Sequence, residues 1–551
     1  MLELYGRGVS NGIAIGTVEY YTNASDNVLK YKVDDPKAEL ERYRNGLQLA
    51  KIHLQKLYDE ACNRVSKSES VIFQTHIMIL EDSKFVETVE EIIGVNKLNA
   101  EYAVTYTAKK LAEVFRELDD DYLQSRYSDI LDAGNTLVKI LQNKKTRKTP
   151  DEDNPVIIAA RELMPSETMS FKKNTVLGFI TNIGSQNSHT SILARTMGLP
   201  SVTRIEAALA DFDGKTAIID GQLGKIFIDP DQTTIALYHA KKERYNKLRA
   251  TLKRQIGLPS VTKNGQKIIL SANIGMLDDI ESAVSNDADA VGLFRSEYLF
   301  LHRSYCPNES EQFEAYKTVI KAFPKSSVTI RTVDLGADKG IDYLDIPVEK
   351  NPAMGFRGIR ICLANHQFFK TQLRALYRAS VFGRLKILLT MINNVEEIEY
   401  VKRTIKEVKR ELRAEGLQYN DNVKLGVMIE TPAAAIISDD ICKMVDFVSI
   451  GTNDLTQFTL AIDRGNNKLE YSYEPYHKAI LRLIKTVSEN AHKCGIPVSI
   501  CGELAADVKL TPFFLALKID ELSMIPSKIL KVRARVRETD TNIIPEQLKK
   551  L

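Results

Sequence analysis

Lys424-Leu-Gly-Val-Met-Ile-Glu430 and, a short helical run later, Phe447-Val-Ser-Ile-Gly-Thr-Asn-Asp454 are unbroken apolar runs that end in oxygen-bearing side chains. Short runs of this kind, rich in Val, Ile and Leu, suit strands buried on both faces of a parallel sheet. Working outward, similar runs recur at residues 267–274, 290–294, 327–331, 386–392, 498–500 and 521–525, with helical patterns between most of them. Eight such strands alternating with helices predict a (β/α)8 barrel, whose usual size is about 250 residues. A doubly wound sheet is the alternative; the strand count and the placement of charged residues favour the barrel.

Catalytic groups of such barrels project from the carboxyl ends of the strands and from the loops that follow. The polar residues of this chain fall there. Strand two runs into Arg295-Ser-Glu-Tyr298, strand three contains Arg331, strand five meets Glu430, strand six meets Asn453-Asp454, and strand seven meets Cys501-Gly-Glu503. Asn351-Pro-Ala-Met-Gly-Phe-Arg357 lies between strands three and four, and Asp463-Arg464 follows the strand-six loop. Arginine presents several donors in one plane and so grips phosphate or carboxylate in a fork. Glu430 and Asp454 offer hard oxygen ligands for Mg²⁺, which takes one or two carboxylates plus substrate oxygens and water. Singly, each could be an ion-paired arginine or a helix-capping carboxylate, but five strand ends so furnished on one face argue against a purely structural account. Cys501 reads equally as a buried core thiol or as a general acid. Neither a protease-like Cys-His pair nor zinc spacing is present.

The rest of the chain has a different texture. Strand-like segments at 7–21, 156–160, 175–181, 217–220 and 225–229 surround Asn182-Ile-Gly-Ser-Gln-Asn-Ser-His189, which opens a helix. A helix N-terminus favours an anion, so an imidazole held there could carry a phosphoryl group; an ordinary helix-start histidine is the bland alternative. Between about residues 36 and 143 glycine almost disappears and apolar residues fall at helical spacing, which predicts a bundle of four or so helices. A charged helical arm over 234–255 suits a connection between bodies that move.

With 551 residues the chain exceeds a single core, and 44% hydrophobic and 27% charged residues fit a globular protein. A formal charge of +3 gives no case for nucleic acid or a membrane surface, and no apolar stretch reaches the ~18 residues of a membrane span. The first residues lack a signal peptide's apolar segment. Six cysteines scattered at 62, 306, 362, 442, 494 and 501 fit a reducing cytoplasm.

Taken together, the sequence resembles Enzyme I of the bacterial phosphoenolpyruvate-dependent sugar phosphotransferase system. The most specific segment is residues 446–464, from Asp446-Phe-Val-Ser-Ile-Gly-Thr-Asn-Asp454 to Ile-Asp-Arg464; Phe73-Gln-Thr-His76, Arg161-Glu-Leu-Met-Pro-Ser-Glu-Thr168, Gln312-Phe-Glu-Ala-Tyr316 and Cys501-Gly-Glu-Leu-Ala-Ala-Asp507 add to it. The resemblance implies a multidomain α/β protein. A swivelling phosphohistidine α/β domain would occupy 1–24 and 145–230, with an inserted α-helical bundle, the HPr-docking domain, at 25–144. A helical linker at 231–258 would lead to a phosphoenolpyruvate-binding (β/α)8 barrel at 259–551.

It further implies that Arg295, Arg331, Arg357, Arg464, Asn453 and Asp454 bind phosphoenolpyruvate, with Glu430 and Asp454 on Mg²⁺. His189 would take the phosphoryl group, Thr168 would fix its tautomer, and Cys501 would protonate enolpyruvate. His76, Ile79 and Asp82 would dock the phosphocarrier HPr, and the barrel would mediate a homodimer. Pyruvate phosphate dikinase and phosphoenolpyruvate synthase have similar parts but need a large nucleotide-binding region, for which there is no room before residue 156.

Some positions depart from the family. Gly184-Ser-Gln-Asn-Ser-His189 stands where Gly-Gly-Arg-Thr-Ser-His is usual, Thr390 replaces a proline, Ala506 replaces a glycine, and the end of the chain looks short relative to the family, which bears on the last helix. The altered loop motivates an alternative: a catalytically impaired regulatory homologue that only binds partners.

Overall fold

Apolar runs at both ends of the first 230 residues build one eight-stranded sheet. The computed structural model describes residues 1–21, 28–64, 67–116, 121–143, 154–164, 166–167, 171, 174–184, 189–301, 303, 305–336, 341, 343–344, 346–347, 349–463, 466, 469 and 474–543. The chain divides into two compact units, Met1–Arg249 and Ala250–Leu551.

In the first unit the strands are β1 (Leu2–Tyr5), β2 (Arg7–Ser10), β3 (Ile13–Tyr21), β4 (Val156–Ala160), β5 (Val176–Thr181), β6 (Ser201–Thr203), β7 (Thr216–Asp220) and β8 (Lys225–Ile228). Their order is β1-β8-β7-β3-β4-β5-β6-β2. From β3 to β6 neighbours run parallel, and the remaining pairs are antiparallel. Strands β1 and β6 were not anticipated. Strand β3 runs unbroken through Gly16. That glycine is needed for close packing, because a Cβ there would lie 2.4 Å from Leu177 Cδ1.

Among the described residues five helices come between β3 and β4, Pro36–Arg64, Lys67–Glu81, Ser83–Gly94, Ala100–Arg116 and Asp121–Leu141. Their buried stripes, including Tyr43, Leu54, Phe73, Phe85, Val104 and Leu137, form a core of their own. Helix Gln232–Lys253 buries only Tyr238, as befits a charged arm.

The second unit is the expected barrel. Strands β9 (Ile269–Ile274), β10 (Ala290–Arg295), β11 (Ser327–Arg331), β12 (Arg384–Leu389), β13 (Lys424–Ile429), β14 (Phe447–Ile450), β15 (Val498–Ile500) and β16 (Glu521–Met524) close parallel, with β16 pairing back to β9. Leu293, Leu388, Met428, Phe447 and Cys501 fill the interior. The ring of Phe447 requires Gly426 opposite it, since a Cβ there would come within 2.5 Å of the ring. Strand β12 stops before Thr390 because Met391 turns to φ +56, out of the ladder. The last helix among the described residues, Ile529–Glu538, buries Ile529, Val532 and Val536.

Candidate active site

Because all eight barrel strands run the same way, their carboxyl ends share one rim. Arg295 and Arg331 are the last residues of β10 and β11, Glu430 and Cys501 directly follow β13 and β15, and Asn453 and Asp454 occupy the first turn of helix Thr452–Leu460 after β14. Arg357 arrives on the loop between β11 and β12. Two glycines shape that loop: Gly336 at φ +98 and Gly358 at φ +56, conformations that favour glycine.

Three carboxylates hold the arginines. Arg331 Nε donates to Glu297 Oε2 at 3.0 Å, and its Nη2 binds Glu297 Oε1 and lies 3.3 Å from Asp334 Oδ2. Arg357 Nε and Nη2 fork onto Asp334 at 3.2 and 3.0 Å, and the same Nη2 reaches Asp454 Oδ2 at 3.5 Å. Asp334 therefore bridges the two arginines. Burial opposes the charge of each guanidinium, but the facing carboxylates, Glu297 and Asp334 for Arg331, Asp334 and Asp454 for Arg357, outweigh it and keep both firmly protonated. Behind them Ser296 Oγ donates to the Arg331 carbonyl at 2.7 Å, and Gln372 Nε2 donates to Ser296 Oγ at 3.0 Å. Neither Glu297 nor Asp334 was assigned a role from sequence. The available signal was a carboxylate two or three residues from an arginine.

Arg295 differs. Its Nε is buried and has no hydrogen-bond partner. A buried, unsatisfied cationic donor at a strand end suits an anionic ligand.

Burial first, then the carboxylates of Asp454 and Asp334, push Glu430 up to about 8, against the pull of Arg357 and Arg331. Its Oε1 accepts the Met391 N–H at 2.7 Å, which explains the left-handed turn after β12. Adjacent carboxylates that oppose each other's ionisation fit a divalent cation, which would relieve the repulsion. Among the described residues no cluster of three or more His, Cys, Asp or Glu side chains forms a cage. The two carboxylates match the small number that Mg²⁺ takes when substrate supplies further oxygens.

Cys501 is buried, and its Sγ lies 3.7 Å from the Ile450 carbonyl. Burial chiefly, with Glu430, pushes the thiol up to about 11, although Ser449, Arg331 and Arg295 pull the other way. It is a thiol at neutral pH, as a proton donor must be. Asn453 Oδ1 accepts the Glu503 N–H at 2.9 Å, tying the loop after β14 to the loop after β15.

Three family models match these parts. The PEP-binding domain of PEP-utilising enzymes matches residues 249–541, their N-terminal domain 5–126, and their mobile domain 152–224. A phosphoenolpyruvate-protein phosphotransferase of Bacillus subtilis is 39% identical over 97% of this chain and 94% of its own length. Namesakes from Listeria monocytogenes and Staphylococcus carnosus are 38% and 36% identical, over 98% and 99% of this chain and 94% and 95% of theirs. The chain belongs to the phosphoenolpyruvate-protein phosphotransferases.

As a phosphoenolpyruvate-protein phosphotransferase it is an enzyme, and the rim of its PEP-binding domain brings together Arg331, Arg357, Glu430, Asp454 and Cys501. Arg464, Thr168, residues 185–188 and the His189 side chain lie outside the described residues. The backbone of His189 opens helix His189–Met197, as expected. The expected docking set divides. His76 is wholly buried with Phe73 and Leu80 and its Nδ1 lies 3.7 Å from buried Asp132, so it presents nothing to a partner. Ile79 is half-buried, and Asp82 caps helix Ser83–Gly94 by accepting the Phe85 N–H. No helix among the described residues is long and apolar enough to cross a membrane.

Proposed function

We propose that the chain moves the phosphoryl group of phosphoenolpyruvate to its own His189 and then to a histidine of the phosphocarrier HPr, releasing pyruvate, as the first step of sugar phosphotransfer. The observation that carries this reading is the barrel rim, where the unsatisfied Nε of Arg295 lies near the Arg331–Arg357 pair, two carboxylates and a protonated thiol.

Arg295, Arg331, Arg357 and Arg464 grip the phosphate and carboxylate of the substrate, and Asn453 adds a polar contact. Mg²⁺ on Glu430 and Asp454 would supply charge to offset that on the transferring group. His189 Nε2 forms a bond to phosphorus as the bond from phosphorus to the enol oxygen breaks, with Thr168 fixing the tautomer. The electron pair stays with enolpyruvate, whose methylene carbon takes the proton of Cys501; solvent restores the thiol. Positioning and charge neutralisation account for most of the acceleration in a transfer of this kind. Ile79 and Asp82 remain as docking residues for HPr, and the enzyme works in the cytoplasm as a homodimer joined through the barrel.

Incubation with labelled phosphoenolpyruvate and Mg²⁺ should give acid-labile, base-stable label that is absent in His189→Gln and passes to an added carrier. Absence of label in the parent would reject this reading in favour of a protein that only binds partners.

A further inference from the structure

Helix His366–Ala379 packs Phe369, Leu373 and Leu376 into the apolar layer around the barrel, yet Gln372 lies among them wholly buried. A buried amide is costly unless its oxygen and both its protons are paired. All three are. Gln372 Oε1 accepts the Val333 N–H at 3.0 Å, and Nε2 donates to Ser296 Oγ at 3.0 Å and to Tyr316 OH at 3.1 Å. A backbone N–H can only donate, so the atom facing Val333 must be the oxygen, and the amide has one orientation. The remaining protons are then directed as well. Ser296 Oγ donates to the Arg331 carbonyl at 2.7 Å, Tyr316 OH to Gln312 Oε1 at 3.2 Å, and Gln312 Nε2 to the Pro307 carbonyl at 2.9 Å. Burial pushes the Tyr316 phenol up, so it keeps the proton it donates. The Gln312-Phe-Glu-Ala-Tyr316 segment thus becomes the anchored end of a network whose members are all buried, and a fully paired network of this kind is rigid.

The other end of the network is the pair of strand ends that carry arginines. Arg295 and Arg331 are register partners on β10 and β11, so two like charges stand side by side and push those ends apart. The ladder holds β10 weakly there. Its register shifts against β11 between Val291 and Phe294, and against β9 between Val291 and Leu293, and such irregularities disrupt the pairing and re-aim side chains. Gln372 supplies the missing ties. One bond holds Ser296, between Arg295 and Glu297, and another holds Val333, next to Asp334. Glu297 and Asp334 are in turn the carboxylates that grip Arg331.

We propose that Gln372 is a positioning residue for phosphoenolpyruvate binding: its amide fixes the carboxyl ends of β10 and β11 so that Arg295 and Arg331 meet the substrate in register. This rests on the reading that those arginines grip substrate. Gln372 acts through Ser296 and Val333 and takes no part in the chemistry.

The test uses the full chain, Mg²⁺ and labelled phosphoenolpyruvate in rapid-quench single turnovers, read as a half-saturating substrate concentration and a maximal labelling rate. Gln372→Leu and Ser296→Ala should each raise the half-saturating concentration about tenfold, the effect of losing one buried hydrogen bond behind a binding group. The double variant should bind no worse than the more impaired single variant, because both act through one chain of bonds. Gln372→Glu, which keeps an acceptor for the Val333 N–H, should lie between the parent and Gln372→Leu. A purely structural brace would reduce the amount of folded protein, lowering the maximal rate and leaving half-saturation parental. That result, or single effects that multiply in the double variant, would overturn the proposal. Should Gln372→Leu fail to fold, parental half-saturation in both Ser296→Ala and Gln372→Glu would overturn it as well. Parental half-saturation in Arg295→Gln would instead reject the reading that the arginines grip substrate, and this inference with it.

Discussion

Gly502 sits where the loop after β15 presses on the helix that presents Asn453 and Asp454, and Gly502→Ala tests whether that contact sets the active geometry. A Cβ at Gly502 would stand 1.9 Å from Thr452 Oγ1, 2.9 Å from Thr452 Cβ and 2.7 Å from Thr452 N. The hydroxyl can rotate away, but the backbone nitrogen cannot. Restoring it to ordinary contact at 3.4 Å displaces the start of helix Thr452–Leu460 by about 0.7 Å, that is 3.4 − 2.7. A 1 Å misplacement of catalytic groups costs about 100-fold in rate, so 0.7 Å corresponds to roughly 25-fold in kcat/KM, or about 2 kcal/mol. The mutual bond between Asn453 and the Glu503 N–H, 2.9 Å long, should loosen as well. The assay is pyruvate formation from phosphoenolpyruvate with a carrier as acceptor, alongside thermal unfolding to show that the barrel persists. A kcat/KM within twofold of the parent would show that the close approach at Gly502 does not govern the site.

Two further outcomes follow from buried ionisable groups. Glu297→Gln leaves the buried Arg331 with Asp334 as its remaining carboxylate neighbour within ion-pair distance among the described residues. The barrel should lose about 3 kcal/mol, which calorimetry would register as a midpoint lowered by about 6 °C; an unchanged midpoint would show the pair to be dispensable. Cys501, raised from 9.0 to about 11, favours folding in its neutral form, so its contribution is complete below the unfolded value and is lost as pH rises between them. Unfolding free energy should therefore fall more steeply from pH 9 to about 11 in the parent than in Cys501→Ala, and parallel pH profiles would contradict the buried-thiol account.

The barrel was legible because strands buried on both faces are largely apolar along their length, which leaves the polar residues within a few positions after each run to mark the carboxyl end. Glu430, Asn453 and Cys501 were found that way, and the last residues of two strands, Arg295 and Arg331, stand at the same level. The partners of these groups were not legible. Asp334 joins Arg331 to Arg357, and Arg357 reaches Asp454 across 97 positions of sequence, pairings that exist only once the barrel closes. His76 misled in the opposite direction. Phe73, His76 and Leu80 fall on one helical face, and that spacing buries the imidazole, whereas the resemblance had placed it among the docking residues.

The sequence by itself determined the order of elements and the chemical kinds of group at each strand end, because periodicity and composition are local properties. Which guanidinium is neutralised, which donor stays unsatisfied, and how far Glu430 and Cys501 are driven from their ordinary ionisation depend on burial and on charges distant along the chain. Those were decided by the tertiary structure, because an ionisable group responds to its surroundings in space rather than to its neighbours in sequence.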